Sequence, residues 1–173
     1  MAIGKVVGVL LDRSMSRQSG SARLVHTGRG ERPVEHSLYW RSADIWRAES
    51  PDGWCGCDGT RTLEQRKRRS AAAPMPARPG WPAWHLQLVF PLRAHLWGRV
   101  GDDYYLADAE QQGGLVRVTL AGTEDDRAGW LMVDMEQGYI READYNGTRL
   151  RLDHFDLRPQ PDHLFALPFE LGV

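Results

Sequence analysis

Apolar and polar positions alternate along much of this chain with the period of two that a half-buried strand requires. Ser21–Thr27 reads as a strand closed by Gly28-Arg29-Gly30, and Val34–Trp40 as the next, with Leu38 and Trp40 on one face. Asp44–Glu49 is a third short strand, ended by the strong turn sequence Ser50-Pro51-Asp52-Gly53. Trp54–Cys57 then leads through Asp58-Gly59 into a strand over Thr60–Gln65, so residues 20–66 form a meander with turns at hairpin spacing. The final stretch repeats the pattern: Leu115–Leu120, Trp130–Met135, Tyr139–Tyr145 and Thr148–Phe155 are four strands in succession. Asn146-Gly147 joins the last two, and both residue types tolerate the positive φ of a type I′ hairpin turn. Parallel strands cannot be joined so tightly, so the sheet is antiparallel.

Five segments stand outside those two meanders. Val6–Leu11 is an unbroken apolar run of six residues, which predicts a buried strand or the start of a helix. It is too short for the apolar region of a signal peptide, and no run approaches the roughly 18–20 residues of a membrane span. A cytoplasmic location follows for the sequence as written, and an extracytoplasmic one if it is that of a mature chain. Residues 66–82 carry the basic run Arg66-Lys67-Arg68-Arg69 and then Pro74, Pro76 and Pro79, a composition that predicts a mobile loop. Between Trp84 and Gly98 a helix is expected, with Pro91 in its first turn, Gly98 as its stop and Leu92, Leu96 and Trp97 as its buried stripe. Leu86–Phe90 before it is a separate short helix or an extended piece. Asp102–Asp108 reads as a short edge-like segment, and the apolar tail Leu164–Phe169 as packing back onto the sheet.

Composition bounds the architecture without changing it. With 173 residues, 42% hydrophobic, 26% charged and a mean hydropathy of −0.50, the chain reads as one globular domain over 1–173 rather than a disordered segment. The net charge of −1 hides an asymmetry: residues 1–86 are basic and residues 87–173 acidic. No helix or repeating aromatic pattern organises the basic run, so a nucleic-acid partner is not expected.

Candidate chemistry is sparse. The two cysteines, Cys55 and Cys57, flank one glycine, too close for a relaxed disulfide. On a strand both thiols share a face, as half of a soft-metal site or as two small packed residues. A zinc site needs further ligands, and the six histidines show no matching spacing, so neither metal nor cofactor is expected. Gly-x-Ser-x-Gly, phosphate-loop and His-Glu-x-x-His motifs are lacking. Asp153 and His154 would face opposite ways on one strand. No catalytic residue is assigned and the chain is not expected to be an enzyme.

The order of pieces resembles a known family. Trp40-Arg41-Ser42-Ala43-Asp44-Ile45-Trp46-Arg47, then Pro51-Asp52-Gly53 and Cys57-Asp58-Gly59-Thr60, is similar to the strand–turn–strand stretch of the lipoprotein-carrier (LolA-like) superfamily. Val133-Asp134-Met135-Glu136-Gln137-Gly138-Tyr139-Ile140-Arg141 resembles its acidic-turn hairpin, and Asn146-Gly147 through Pro168 its C-terminal end. The resemblance implies a mainly β (α+β) fold, a curved antiparallel half-barrel with one or two short helices as a lid. It further implies a concave face holding an acyl chain or a hydrophobic partner segment. Seven tryptophans fit such a cavity, or equally the filling of a curved sheet. The lining candidates are Trp40, Trp46, Leu63, Leu88 and Trp97. Two functions follow: a non-catalytic carrier of a lipid or other hydrophobic ligand, or a protein–protein interaction module using the same fold. The opposed charges of the halves would also suit a homodimer.

Overall fold

The computed structural model describes residues 2–16, 19–66, 75–76, 84–123 and 128–166. Its fold is mainly β and antiparallel, as expected, with a single α-helix among the described residues. Contacts divide the chain into two compact units. The first comprises Met1–Arg17, His26–Pro33 and Pro82–Leu152, and the second Gln18–Val25, Val34–Trp81 and Asp153–Val173. Two strands, β1 (Gly20–Thr27) and β11 (Thr148–Asp156), contribute residues to both.

In the second unit β2 (Val34–Trp40), β3 (Ile45–Ser50), β4 (Gly53–Asp58), β5 (Arg61–Arg66) and the two-residue β6 (Met75–Pro76) pair each with the next. The expected loop over 66–82 therefore contains a short strand, and its remaining residues 67–74 and 77–82 lie outside the described ones. Residues 167–173, with the second half of the apolar tail Leu164–Phe169, lie outside as well; Phe165 is buried.

The first unit holds β7 (Tyr104–Gln112), β8 (Leu115–Gly122), β9 (Ala128–Asp134) and β10 (Tyr139–Tyr145), which pair in sequence, β10 continuing to β11. Alternation is clean here: Val116, Val118, Leu120, Leu131, Val133, Ala143 and Leu150 are buried on one face. Asn146 and Gly147 take the positive φ values of 55° and 69° expected of the type I′ turn.

Val6–Leu11 resolves as helix. It belongs to α1 (Ile3–Ser16), whose Val6, Leu10 and Ser14 recur every four residues and are buried. The helix packs against β7 and β10, and the Arg13 side chain lies so close to Gly138 that a Cβ there would meet it.

The helix expected between Trp84 and Gly98 is not formed. That segment holds two 3-10 turns, Trp84–Leu86 and Pro91–Arg93. Ala94 already has extended backbone, with φ −77° and ψ 152°, so the second turn cannot propagate. Two competitors explain this. Ile140 donates its N–H to Leu88 O at 3.0 Å, tying the preceding apolar run to β10, and Asp102 captures the N–H groups of Trp97 and Arg99. A second departure is His154, whose φ of 53° interrupts the alternation of β11.

Candidate binding surfaces

Two of the lining candidates are directly paired. Trp40 faces Trp46 across β2 and β3, and Trp46 faces Cys57 across β3 and β4. Cross-strand partners point to one side of a sheet, so these three form a row, joined on the same face by Leu38, Ala48 and Cys55. Trp40 is wholly enclosed, at 0% exposure. Its indole lies over Gly20, where an added Cβ would sit 2.5 Å from the ring and 2.5 Å from Asp156 O, and Phe155 packs 5.6 Å away. Ser19 Oγ donates to Trp40 O at 3.0 Å and accepts from Gln160 N at 3.1 Å. Arg41 closes the end of this row, pairing with Asp162 and lying over the Phe165 ring.

Leu63 is also buried, but it pairs with Gly56 and so lies on the opposite face from Trp40 and Trp46. Leu88 and Trp97 belong to the first unit. Leu88 is buried at the anchor to β10, whereas half-buried Trp97 donates Nε1–H to Pro91 O at 2.8 Å. Cys57 is buried, Cys55 is half-buried and both are free thiols; among the described residues no three metal-ligating side chains converge.

A solvent-open recess lies on the other face of the second unit, lined by Glu49, Ser50, Gly53, Trp54 and Gln65, with a volume of about 330 Å³. Glu49, Trp54 and Gln65 are successive partners across β3, β4 and β5. The Arg47 guanidinium stacks 4.5 Å over the Trp54 ring and donates to Glu49 at 2.7 Å, while Trp54 Nε1–H is taken by Gln65 at 3.1 Å. A ligand here would meet one aromatic face in a frame of polar groups, which suits a peptide better than an acyl chain. The first unit carries a similar feature on its polar face, where Arg117 and Arg149 lie 5.0 Å and 5.7 Å from the Trp130 ring centre.

Two loops are held by carboxylates. Asp58 accepts from the N–H groups of Thr60 and Arg61 at 2.9 and 2.7 Å, from the Thr60 hydroxyl and from the Arg61 guanidinium. Asp102, itself buried, accepts from Trp97 N at 2.9 Å, Arg99 N at 3.1 Å and the Arg99 guanidinium, with His95 at 3.5 Å. Burial pushes both carboxyls up, but these hydrogen bonds outweigh it and hold each below the ordinary carboxylate range. Sequence reasoning missed Asp102; its signal was the Gly98-Arg99-Val100-Gly101-Asp102 loop, of which Gly98 was read as a helix stop and Asp102 as the start of an edge-like segment.

No family model matches the chain, and no curated protein does. Solved structures do. An uncharacterized conserved protein from Thermus thermophilus aligns with a TM-score of 0.60 at 11% identity, covering 92% of this chain and 91% of that one. The complex structure of Pseudomonas aeruginosa MucA/MucB aligns with a TM-score of 0.51 at 17% identity over 98% of this chain, which spans 62% of its counterpart. A LolA superfamily protein from Nitrosomonas europaea aligns with a TM-score of 0.43 at 10% identity, covering 95% of this chain and 98% of that one. At such identities the likeness is one of fold, and the fold of this chain is the LolA-like one that MucB shares.

Proposed function

We propose that this chain is a non-catalytic binding protein whose partner is another protein. The observation that carries the reading is the enclosure of its apolar candidates by its own chain. Trp40 is buried against Gly20 and Phe155, and in the first unit α1 inserts Val6 and Leu10. The recess that opens to solvent is instead framed by Glu49, Ser50 and Gln65 around one indole. Support also comes from a neighbour of the same fold solved as a complex of two proteins, MucA/MucB. The carrier reading keeps one observation in its favour. Helix α1 is held by a single stripe, so a hydrophobic ligand able to displace it would find an apolar surface ready.

The two readings separate in one experiment. Native mass spectrometry of the purified protein, before and after organic extraction, is followed by titration with palmitate and a lipopeptide under tryptophan fluorescence. The expected result is an unliganded mass and no saturable lipid response. A lipid-range mass removed by extraction, or stoichiometric lipid binding, overturns the protein-partner reading in favour of the carrier.

A further inference from the structure

We propose that Cys55 and Cys57 form a two-coordinate thiolate site for a single Cu(I) ion. The recess around Trp54 plays no part in it, because that recess lies on the opposite face of the sheet. The chain has two cysteines, and both fall on β4 with one glycine between them. Side chains alternate along a strand, so both thiols point to the face that carries Trp46 and Ala48.

Distance decides what the pair can do. At both cysteines β4 is laddered to β3 on one side and to β5 on the other, so its extended geometry is held from both edges. Two residues along such a strand advance about 6.6 Å. A disulfide needs its Cβ atoms about 3.8 Å apart, so closing one would pull β4 out of both ladders. An ion placed between the sulfurs closes the gap without moving the strand. Two metal–thiolate bonds of about 2.3 Å, end to end, span about 4.6 Å and leave about 2 Å for the two Cβ–Sγ bonds to cover by leaning toward each other. The rotamers that lean them so, with χ1 of about 180° at Cys55 and about −60° at Cys57, are the two common ones of a strand residue.

Coordination number selects the ion. Among the described residues no third thiol, imidazole or carboxylate converges with the pair. Zinc completes a tetrahedron of four ligands and is poorly served by two. Copper(I) is soft, prefers thiolates and is satisfied by two of them in line. The histidine spacing that argued against zinc therefore does not bear on it. Binding breaks two S–H bonds, forms two Cu–S bonds and releases two protons to solvent. The copper stays in the +1 state and no electron is transferred.

The neighbours suit such an ion. Cys57, Trp46 and Ala48 are buried, which keeps water and oxygen from one side of the pair, and the Ala48 methyl opposite Cys55 takes up little room. On the other side β5 places half-buried Thr62 and exposed Glu64 across from Cys57 and Cys55. Half-buried Cys55 is thus the thiol an ion reaches first.

The test titrates the reduced chain with Cu(I) under nitrogen, against bicinchoninate as a competing chelator, with native mass spectrometry to count the metal. We expect one copper per chain and a saturating change in tryptophan fluorescence, since Trp46 lies directly across from Cys57. Cys55→Ser, at a half-buried position, should keep the fold and weaken copper binding at least about a hundredfold. Cys57→Ser should do the same, with circular dichroism showing that the variant is folded. Diamide should leave both thiols of the native chain titratable, because the strand spacing forbids their union. Loss of all copper to the chelator, or equal retention by Cys55→Ser, overturns the site. A disulfide formed readily between Cys55 and Cys57 also overturns it, since the spacing on which the site rests would not be held. Copper found only between two chains, at one ion per dimer, overturns the chelate within one strand.

Discussion

The two units close their apolar faces by different means. In the first, small and medium aliphatic residues alternate along β8 and β9 and resume beyond a bulge between Ile140 and Glu142 of β10, and a separate element, α1, packs against the unit with Val6 and Leu10. In the second, no α-helix is found among the described residues, and the strands carry their own bulk as the paired indoles of Trp40 and Trp46. Each solution needs a glycine where an aromatic residue comes close: Gly20 beneath Trp40, and Gly129, whose added Cβ would sit 2.8 Å from Tyr145 Cβ. An aliphatic face is flat enough to take a helix. An indole-filled face leaves fewer atoms to cover but concentrates its packing in very few residues.

That concentration is open to test. Trp40→Ala should cost about 3–5 kcal/mol in denaturant unfolding, because a fully enclosed indole leaves a cavity its neighbours cannot fill. Leu10→Ala, removing the most enclosed leucine of α1, should cost less, about 2–3 kcal/mol, since the helix can settle onto the sheet. Equal costs would show that both faces depend on single residues to the same degree, and the contrast drawn here would fail.

The units agree, by contrast, in fixing a loop with a carboxylate. Both Asp58 and Asp102 have depressed folded-state pKa values, so each contributes stability that is present above the unfolded carboxylate value of about 3.9 and lost as pH falls through the folded one. The melting temperature should therefore be level above about pH 5 and fall below about pH 4. Asp102→Asn should cost about 2 kcal/mol at neutral pH and flatten part of that acid limb, the deeper burial of Asp102 making it the larger effect. Asp58→Asn should do the same at about 1 kcal/mol. Unchanged acid limbs in both variants would mean that other carboxylates carry the pH dependence.

What was legible in the sequence divides along the same physical line. Strands announce themselves by alternation and by turn residues, and so β1 to β5 and β8 to β11 fall close to where the pattern put them. The apolar run Val6–Leu11 was ambiguous because six residues cannot separate a strand from a helix; the spacing of Val6, Leu10 and Ser14 does. The Trp84–Gly98 stripe had helical spacing, yet its backbone donors are claimed by a carboxylate five residues beyond Trp97. That competitor is local, three to five residues along the chain, and the Gly98–Asp102 loop that carries it was its trace in the sequence. The candidate lining residues show a different limit. Trp40 and Leu63 were expected to line one concave face; both are buried, and only the pairing of Leu63 with Gly56 tells that they lie on opposite faces.

The smallest expected effect concerns how each unit makes its tightest turns. Between β4 and β5 the Asp58 carboxylate holds the turn beside Gly59 at φ +95°, whereas between β10 and β11 the left-handed residue is Asn146 itself. Asn146 has two tasks: it holds a positive φ that glycine would hold as well, and its Oδ1 accepts from Tyr104 Oη at 2.8 Å while its N–H donates back at 3.2 Å. Asn146→Gly keeps the first task and loses the side-chain acceptor of Tyr104 Oη, about 1 kcal/mol. Asn146→Ala loses both and should cost about 1 kcal/mol more, the strain of a left-handed alanine. The difference between the two variants isolates the backbone contribution, and the glycine variant alone isolates the bond to Tyr104. If glycine proves neutral, the turn is set by conformation alone, and the tie between Tyr104 at the start of β7 and the β10–β11 turn adds nothing to the first unit.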